Sequence, residues 1–296
     1  MRAGRCASAL AALLALAACA SAPPPAREAG GDARIDDARR LAALAFANAR
    51  HDQAAQLYAQ ALERAQARDD GAAMGDLGYD LAVVHLRRGD AAASLAASAA
   101  ARADLRRHGL APFPELLLVE AVALHRSGEG AAAAAVAAAL TEGEEAVARR
   151  ARFVLGLVAA DSADGAALAR VRASLAPSAE PEWRADIAEL GARAATLMGD
   201  RVGARASFLE AAGLRRETLD YPGMARALAG AAASAREAGD AAGAAELYLR
   251  AGRSALLSGA GGPQAEAWLA EADRLARVAG DRDVLAALAE LRARRR

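Results

Sequence analysis

The side chains that could carry out chemistry are few and lie far apart in the sequence. The chain has four histidines, which are His51, His85, His108 and His125. Asp104 precedes His108 by one helical turn, and Glu129 follows His125 at the same spacing. One histidine with one carboxylate supplies too few ligands for a metal ion, and the sequence has neither an HExxH nor a CxxC motif. We therefore expect no metal centre, no cofactor and no catalytic residue.

The elements that position these side chains are predicted to be helices joined by tight turns. The clearest stretch reads AREAGDAAGAAELYLRAG. Gly239 can end a helix because glycine takes the left-handed conformation without a Cβ penalty, and Asp240 can cap the helix that follows. That second helix places Ala244, Tyr248 and Ala251 on one face. A helix, a Gly-Asp turn and a second helix form a compact hairpin.

This hairpin pattern recurs along the chain. Turns are predicted at His51-Asp52, Gly89-Asp90, Gly128-Glu129, Gly199-Asp200, Gly239-Asp240 and Gly280-Asp281. The alternation of alanine and an aromatic residue recurs as Ala54, Tyr58 and Ala61, and as Ala204, Phe208 and Ala211. Most neighbouring turns are separated by about 40 residues, a period typical of helical solenoids.

On these turns, on the alanine–aromatic–alanine signature and on Leu190-Gly191, the chain resembles the tetratricopeptide repeat (TPR) family. The resemblance covers nearly all of the chain after about residue 33. It is strongest at 38–65 and in the C-terminal half, and weaker between 130 and 180. It implies an all-α fold, a right-handed α-solenoid of about seven TPR-like helical hairpins over residues 33–296. Such solenoids offer a concave surface to another protein or to an extended peptide.

Composition narrows the partners further. Hydrophobic residues make up 55% of the 296 residues, but aromatic residues only 3%, which suits closely packed helices and not a deep pocket for a small molecule. The chain carries 37 basic and 37 acidic residues, and this balance argues against a nucleic-acid surface. We expect no small-molecule substrate and no nucleic acid.

The N-terminus resembles a bacterial lipoprotein signal. Two arginines precede a short apolar stretch that ends in Leu16-Ala17-Ala18-Cys19. The resemblance implies that residues 1–18 are a signal peptide, that Cys19 carries the lipid, and that residues 19–32 form the anchor and a Pro/Gly linker. Ala20 is not aspartate, which by the same resemblance indicates the outer membrane. The alternative is an ordinary secretory signal cut after Ala15-Leu16-Ala17.

The sequence thus predicts a non-enzymatic, lipid-anchored scaffold on the outer membrane that faces the periplasm and binds a protein or peptide in envelope assembly. One alternative is a regulatory subunit of a cell-wall (peptidoglycan) enzyme. Another, if the signal is not real, is a cytoplasmic TPR regulatory module.

A candidate partner-binding groove follows from aligning the first helices on their turn glycines. It has an apolar floor with a basic end, made of Tyr79, Val83, Arg87, Leu118, Val122, His125 and Arg126. A partner would place apolar side chains on the floor and an acidic group near Arg87 and Arg126. The alternative is that the apolar members pack between hairpins, as apolar stripes commonly do.

Overall fold

The computed structural model describes residues 32–259 and 262–294, and every regular element in that part of the chain is an α-helix. The predicted signal peptide and Cys19 lie outside the described residues. The helices are α1 Ala33–Ala47, α2 His51–Ala67, α3 Gly71–Arg87, α4 Ala91–Arg107, α5 Pro114–Arg126, α6 Gly130–Ala138, α7 Glu145–Asp161, α8 Gly165–Ser174, α9 Pro181–Leu197, α10 Arg201–Glu217, α11 Tyr221–Glu237, α12 Ala241–Leu257, α13 Gly262–Ala279 and α14 Arg282–Ala293.

The helices pair into seven hairpins and stack in chain order. Each helix packs on the next one in the sequence, and the first helices of successive hairpins also touch, α3 on α5, α5 on α7 and α7 on α9. Contacts that run mainly between neighbours are the mark of a solenoid. The prediction of an all-α solenoid is therefore confirmed. None of the helices in 32–259 and 262–294 is long and apolar enough to cross a membrane.

The Gly-Asp turns have the predicted geometry. Gly239 has a φ of 84°, and the Asp240 carboxylate accepts a hydrogen bond of 2.8 Å from the backbone N–H of Gly243. Glycine bears this left-handed conformation at little cost, and the cap satisfies an N–H that the helix leaves free. Two adjacent residues thus determine where one helix ends and the next begins.

The turn expected at His51-Asp52 was wrong by two residues. The helix α1 ends at Ala47, the chain turns through Ala49 with a φ of 57°, and α2 begins at His51 itself. An alanine and Arg50 stand here where other turns have glycine and aspartate. The turn was misplaced because these two residues lack the local signal, although Tyr58 in the helix that follows is buried as predicted.

Close packing of small residues holds the hairpins together. Phe208 and Tyr248 are buried among alanines that are themselves almost fully enclosed. A Cβ added at Gly230 would stand 2.7 Å from the Phe208 ring. Glycine has a low helix propensity and weakens α11. A residue without a Cβ is nevertheless needed here, because a Cβ would collide with the Phe208 ring.

The curvature of the solenoid brings its second and sixth hairpins into contact. A nitrogen of Arg87, at the end of α3, is 3.2 Å from Asp220 Oδ1 at the start of α11. The imidazole of His51 lies against the turn after α12, where a Cβ on Gly259 would be 3.1 Å from His51 Cδ2. The concave side of the solenoid, on which Arg87 and Asp220 meet, is its interior.

Candidate functional site

The apolar floor of the predicted groove is part of the protein core. Tyr79 is 6% exposed, and Val83 and Leu118 are each 8% exposed. The Tyr79 ring packs edge-on against Phe113, with the ring centres 5.5 Å apart. These three side chains pack between hairpins, so the expectation that they form an accessible surface was wrong. Apolar residues spaced along a first helix can face either the neighbouring hairpin or the concave side. Here they face the neighbouring hairpin and are buried in the core.

Val122 and His125 are also committed to contacts within the protein. Val122 is partly buried between the clusters of the second and third hairpins. His125 Nε2 lies 2.8 Å from Asp161 Oδ2 at the end of α7, and not beside Glu129 as its spacing in sequence suggested. A nitrogen of Arg193 is 2.8 Å from the other oxygen of Asp161. His125 is therefore one member of a polar wall built by α5, α7 and α9.

Arg126 reaches the end of α3, the helix that carries Arg87, but the two arginines differ in their partners. Arg87 forms the ion pair with Asp220. Arg126 donates a hydrogen bond of 2.8 Å to the carbonyl oxygen of Leu86, and has no carboxylate at ion-pair distance among the described residues. Of the two arginines in the predicted groove, Arg126 is therefore the one without a carboxylate partner among the described residues. Partner binding by these seven residues stays a prediction.

Arg215, in the last turn of α10, is the centre of a buried group of charges. One terminal nitrogen is 3.1 Å from Asp186 Oδ1 and 2.5 Å from Glu189 Oε2, and the other is 3.0 Å from Asp220 Oδ2. Arg215, Asp186 and Glu189 are all buried. A guanidinium surrounded by three carboxylates compensates for the loss of hydration through charge-assisted hydrogen bonds.

The group extends onto α7 through two arginines that flank one indole. Arg150 donates to Asp186 Oδ2 at 2.6 Å and to Glu182 Oε2 at 3.0 Å. The guanidinium carbons of Arg149 and Arg150 stand 4.4 and 4.5 Å from the centre of the Trp183 ring. The Trp183 ring therefore packs against two cations.

The pKa values show how strongly these charges depend on one another. Burial disfavours the charge on Arg215, but the attraction of carboxylates, led by Glu189, outweighs it and raises the pKa of Arg215. Burial alone would raise the pKa of Asp220, yet Arg215, Arg226 and Arg87 together hold the pKa of that carboxyl well below its usual range. Asp220 is therefore ionised and fully engaged by cations from α3, α10 and α11.

Arg126 stands where a further positive charge is unfavourable. Its side chain is exposed to solvent, although many protein atoms lie around it. This crowding, together with the charges of Arg226 and Arg87, lowers the pKa of Arg126 to about 9. Because arginine stays protonated in proteins, the lowered pKa of Arg126 reflects the surrounding protein atoms first and the neighbouring positive charges second, and not a loss of the proton.

Arg226, in the second turn of α11, shares this environment. Withdrawal from bulk water lowers its pKa, Asp220 opposes that effect, and Arg215 adds to it. The side chain is half-buried, and within the described residues its guanidinium has no hydrogen bond and no ion pair. Sequence reasoning missed Arg226 because nothing local distinguishes it from the other arginines.

The histidines do not assemble a metal site in the described part of the chain. His108 contacts the carbonyl oxygen of Asp104 and the carboxylate of Asp69, and His125 contacts Asp161. Nowhere in 32–259 and 262–294 do three or more histidine, cysteine, aspartate or glutamate side chains converge as metal ligands would.

Comparison with known proteins gives a likeness to two solved structures. One is a tetratricopeptide repeat protein from Parabacteroides merdae, 15% identical, with a TM-score of 0.48, covering 87% of this chain and 98% of that one. The other is the TPR2AB domain of yeast Sti1 in its complex with pHSP90. It is 14% identical, with a TM-score of 0.34, and the match covers 82% of this chain and 100% of that one. No family model and no curated protein matches the sequence. At these identities and scores, the fold assignment depends on the helices described above.

Proposed function

We propose that this protein is a TPR-like scaffold that binds a segment of another protein in the interior of its solenoid, and that a lipid on Cys19 holds it at the outer membrane, facing the periplasm. We place its role in envelope assembly. The observation that carries the proposal is Arg126, a solvent-exposed cation on the inner wall with no carboxylate partner among the described residues. Solenoids of helical hairpins commonly bind on their concave surface.

The interior differs from the predicted groove in its chemistry. With Tyr79, Val83 and Leu118 in the core, the accessible inner wall is polar and rich in arginine. Guanidinium groups recognise carboxylates with directional, paired hydrogen bonds. The partner segment in this proposal is therefore acidic and extended, and apolar anchoring plays little part.

A photo-crosslinking amino acid at position 126 tests where the partner binds. Arg216 lies on α10, is exposed and has no ion pair among the described residues, so the same probe at position 216 is the matched control. We expect a discrete crosslinked protein from position 126 and none from position 216 in intact cells. Equal products from both positions, or none from position 126, would remove the interior as the binding surface.

Membrane attachment has its own test. If Cys19 carries the lipid, Cys19→Ser should remain unprocessed or become soluble, while wild type should incorporate labelled palmitate and fractionate with the outer membrane. A serine variant that still sediments with the outer membrane after a salt wash would contradict the anchor. The crosslinking result would not be affected.

A further inference from the structure

One histidine lies at a contact between hairpins that are far apart in the chain. His51 begins α2 and is 9% exposed. A Cβ on Gly259, in the turn after α12, would stand 3.1 Å from His51 Cδ2 and 3.3 Å from the carbonyl oxygen of Ala49. The imidazole also packs against the ring of Phe46, with the ring centres 5.3 Å apart. The His51 ring is therefore enclosed between the first hairpin and the turn after α12.

The enclosed imidazole is suited only to its neutral form. Its Nδ1 atom is buried and has no hydrogen-bond partner among the described residues. A neutral imidazole can leave one nitrogen without a proton, whereas an imidazolium carries an N–H on both nitrogens. Protonation in this place would bury a donor without an acceptor and a charge with it, and both are costly. Exposure of the ring to water would remove both costs.

The charges around His51 do not favour an imidazolium. They come from three elements: Arg50 precedes α2, Asp52 lies on α2, and Arg87 and Arg88 lie at the end of α3. Arg50, Asp52 and Arg88 line a cleft of about 360 Å³ beside the ring. The carboxylate in this group is already paired, since Asp52 Oδ1 is 3.0 Å from a nitrogen of Arg88.

The pKa of His51 agrees with this geometry. Burial is the main cause that lowers the pKa of His51, and the charges of Arg87 and Arg88 act in the same direction. A hydrogen bond to the backbone of Ser258 and the charge of Asp52 oppose the change only in part. In the enclosed state His51 is therefore neutral at pH values where a hydrated histidine is already protonated.

We propose that His51 is a pH-sensitive switch, in which protonation of the imidazole releases the first hairpin from the turn after α12. A hydrated imidazole titrates near pH 6.5, so the separated state binds a proton more readily than the enclosed state does. The equilibrium constant for the contact should then fall by up to about tenfold for each pH unit below about 6.5. The concave side becomes more accessible in mildly acidic surroundings. The switch needs no partner and is independent of the proposed scaffold function.

Spin labels at Gln53 and Leu257 test the switch in the full-length protein, with Cys6 and Cys19 replaced by serine. Both positions are exposed and lie on opposite sides of the contact. We expect one narrow distance distribution at about pH 7.5 and a longer, broader one at about pH 5.0. The far-ultraviolet circular dichroism should stay the same, because the helices separate without unfolding. A loss of helix in parallel with the change in distance would mean acid unfolding and would overturn the switch.

Two variants remove the titrating nitrogen. His51→Phe keeps a ring that can pack on Phe46, and His51→Gln is a smaller neutral side chain in case the larger ring does not fit. In at least one of them the distance distribution should be narrow at about pH 7.5 and should remain so at about pH 5.0. A pH response equal to that of the parent in both variants would show that another group controls the contact.

His85→Gln is the matched control. The Nδ1 atom of His85 is also buried without a hydrogen-bond partner among the described residues, and burial lowers the pKa of His85 as well. His85 lines a different cleft, between α2, α3 and α4, so this variant should keep the pH response of the parent. Loss of the response in His85→Gln, or a parent that does not respond between about pH 7.5 and 5.0, would contradict the inference. Because no partner is present, the crosslinking test at position 126 is unaffected by either outcome.

Discussion

At the residue scale, Asp80 is a buried carboxyl group outside the interior whose ionisation affects stability. It lies on α3, is 5% exposed, and accepts a hydrogen bond of 2.7 Å from Arg39 on α1. Burial raises the pKa of Asp80 to about 6, and the opposing attraction of Arg39 does not cancel this. The ion pair of Asp80 with Arg39 joins the second hairpin to the first. The ionisation of Asp80 therefore affects how stably α1 packs on α3.

We predict that Asp80 makes stability fall as the pH rises from about 4 to about 6. In that range the unfolded chain has lost the Asp80 proton and the folded chain still holds it, so rising pH favours the unfolded state. The loss is up to about 3 kcal/mol. Urea unfolding of wild type and Asp80→Asn at several pH values isolates the effect, since other groups cancel in the difference. If the stability of wild type relative to Asp80→Asn instead increased with pH, the pKa of Asp80 would be lowered in the folded state.

At the element scale, the turns show both what sequence reveals and what it hides. The Gly-Asp turns could be predicted because helix termination and capping are local properties of two residues. The equivalent turns at Ala49 and Leu219 could not, because alanine and leucine adopt a left-handed conformation there, with φ of 57° and 60°, that their own preferences oppose. At such turns the packing of the flanking helices imposes the conformation.

This difference between turns predicts a mirrored pair of substitutions. Ala163 is exposed with a φ of 54°, so Ala163→Gly should relieve strain and stabilise the protein by up to about 1 kcal/mol. Gly239→Ala should cost about 1–2 kcal/mol, and because nothing lies within 4 Å of a Cβ there, the cost is purely conformational. Chemical denaturation measures both. Effects of the same sign would show that backbone conformation does not govern these turns.

Helix packing predicts a coupled pair at Gly230 and Phe208. By propensity alone Gly230→Ala should stabilise α11 by about 1 kcal/mol, but the new Cβ would stand 2.7 Å from the Phe208 ring. We expect net destabilisation by about 1–3 kcal/mol. Phe208→Ala alone should cost about 3–5 kcal/mol. In the double variant the clash is absent, so its cost should be smaller than the sum, and additive costs would mean that the two residues do not touch.

At the scale of the whole molecule, the ion pairs of the interior could not be predicted from the sequence. Its ion pairs join residues far apart in the chain, Arg215 with Asp186 and Arg87 with Asp220. The alignment of the first helices predicts that Arg126 lies near the end of α3, where it donates to the Leu86 carbonyl oxygen, because that relation needs only the repeat. Which charges then face them across the interior depends on the curvature summed over all the hairpins, and no single motif encodes it.

The closure of the solenoid gives the last prediction. Arg87→Glu places a carboxylate opposite Asp220, with which Arg87 now forms the ion pair at 3.2 Å, so repulsion should replace attraction between α3 and the start of α11. Spin labels at Gln53 and Leu257, two exposed positions beside the contact of His51 with the Gly259 turn, report the result as a longer and broader distance distribution. The native cysteines Cys6 and Cys19 are replaced by serine for this measurement.

Arg102→Glu is the control for this last experiment, because Arg102 pairs with Glu120 at 2.6 Å between the neighbouring helices α4 and α5. It introduces the same change of charge and breaks an ion pair of similar exposure, but that pair does not connect the second hairpin to the sixth. Its distance distribution should match that of the parent. If Arg87→Glu also leaves the distribution unchanged, the approach of these hairpins does not depend on the Arg87–Asp220 pair, and packing of the His51 imidazole on the turn after α12 must maintain it.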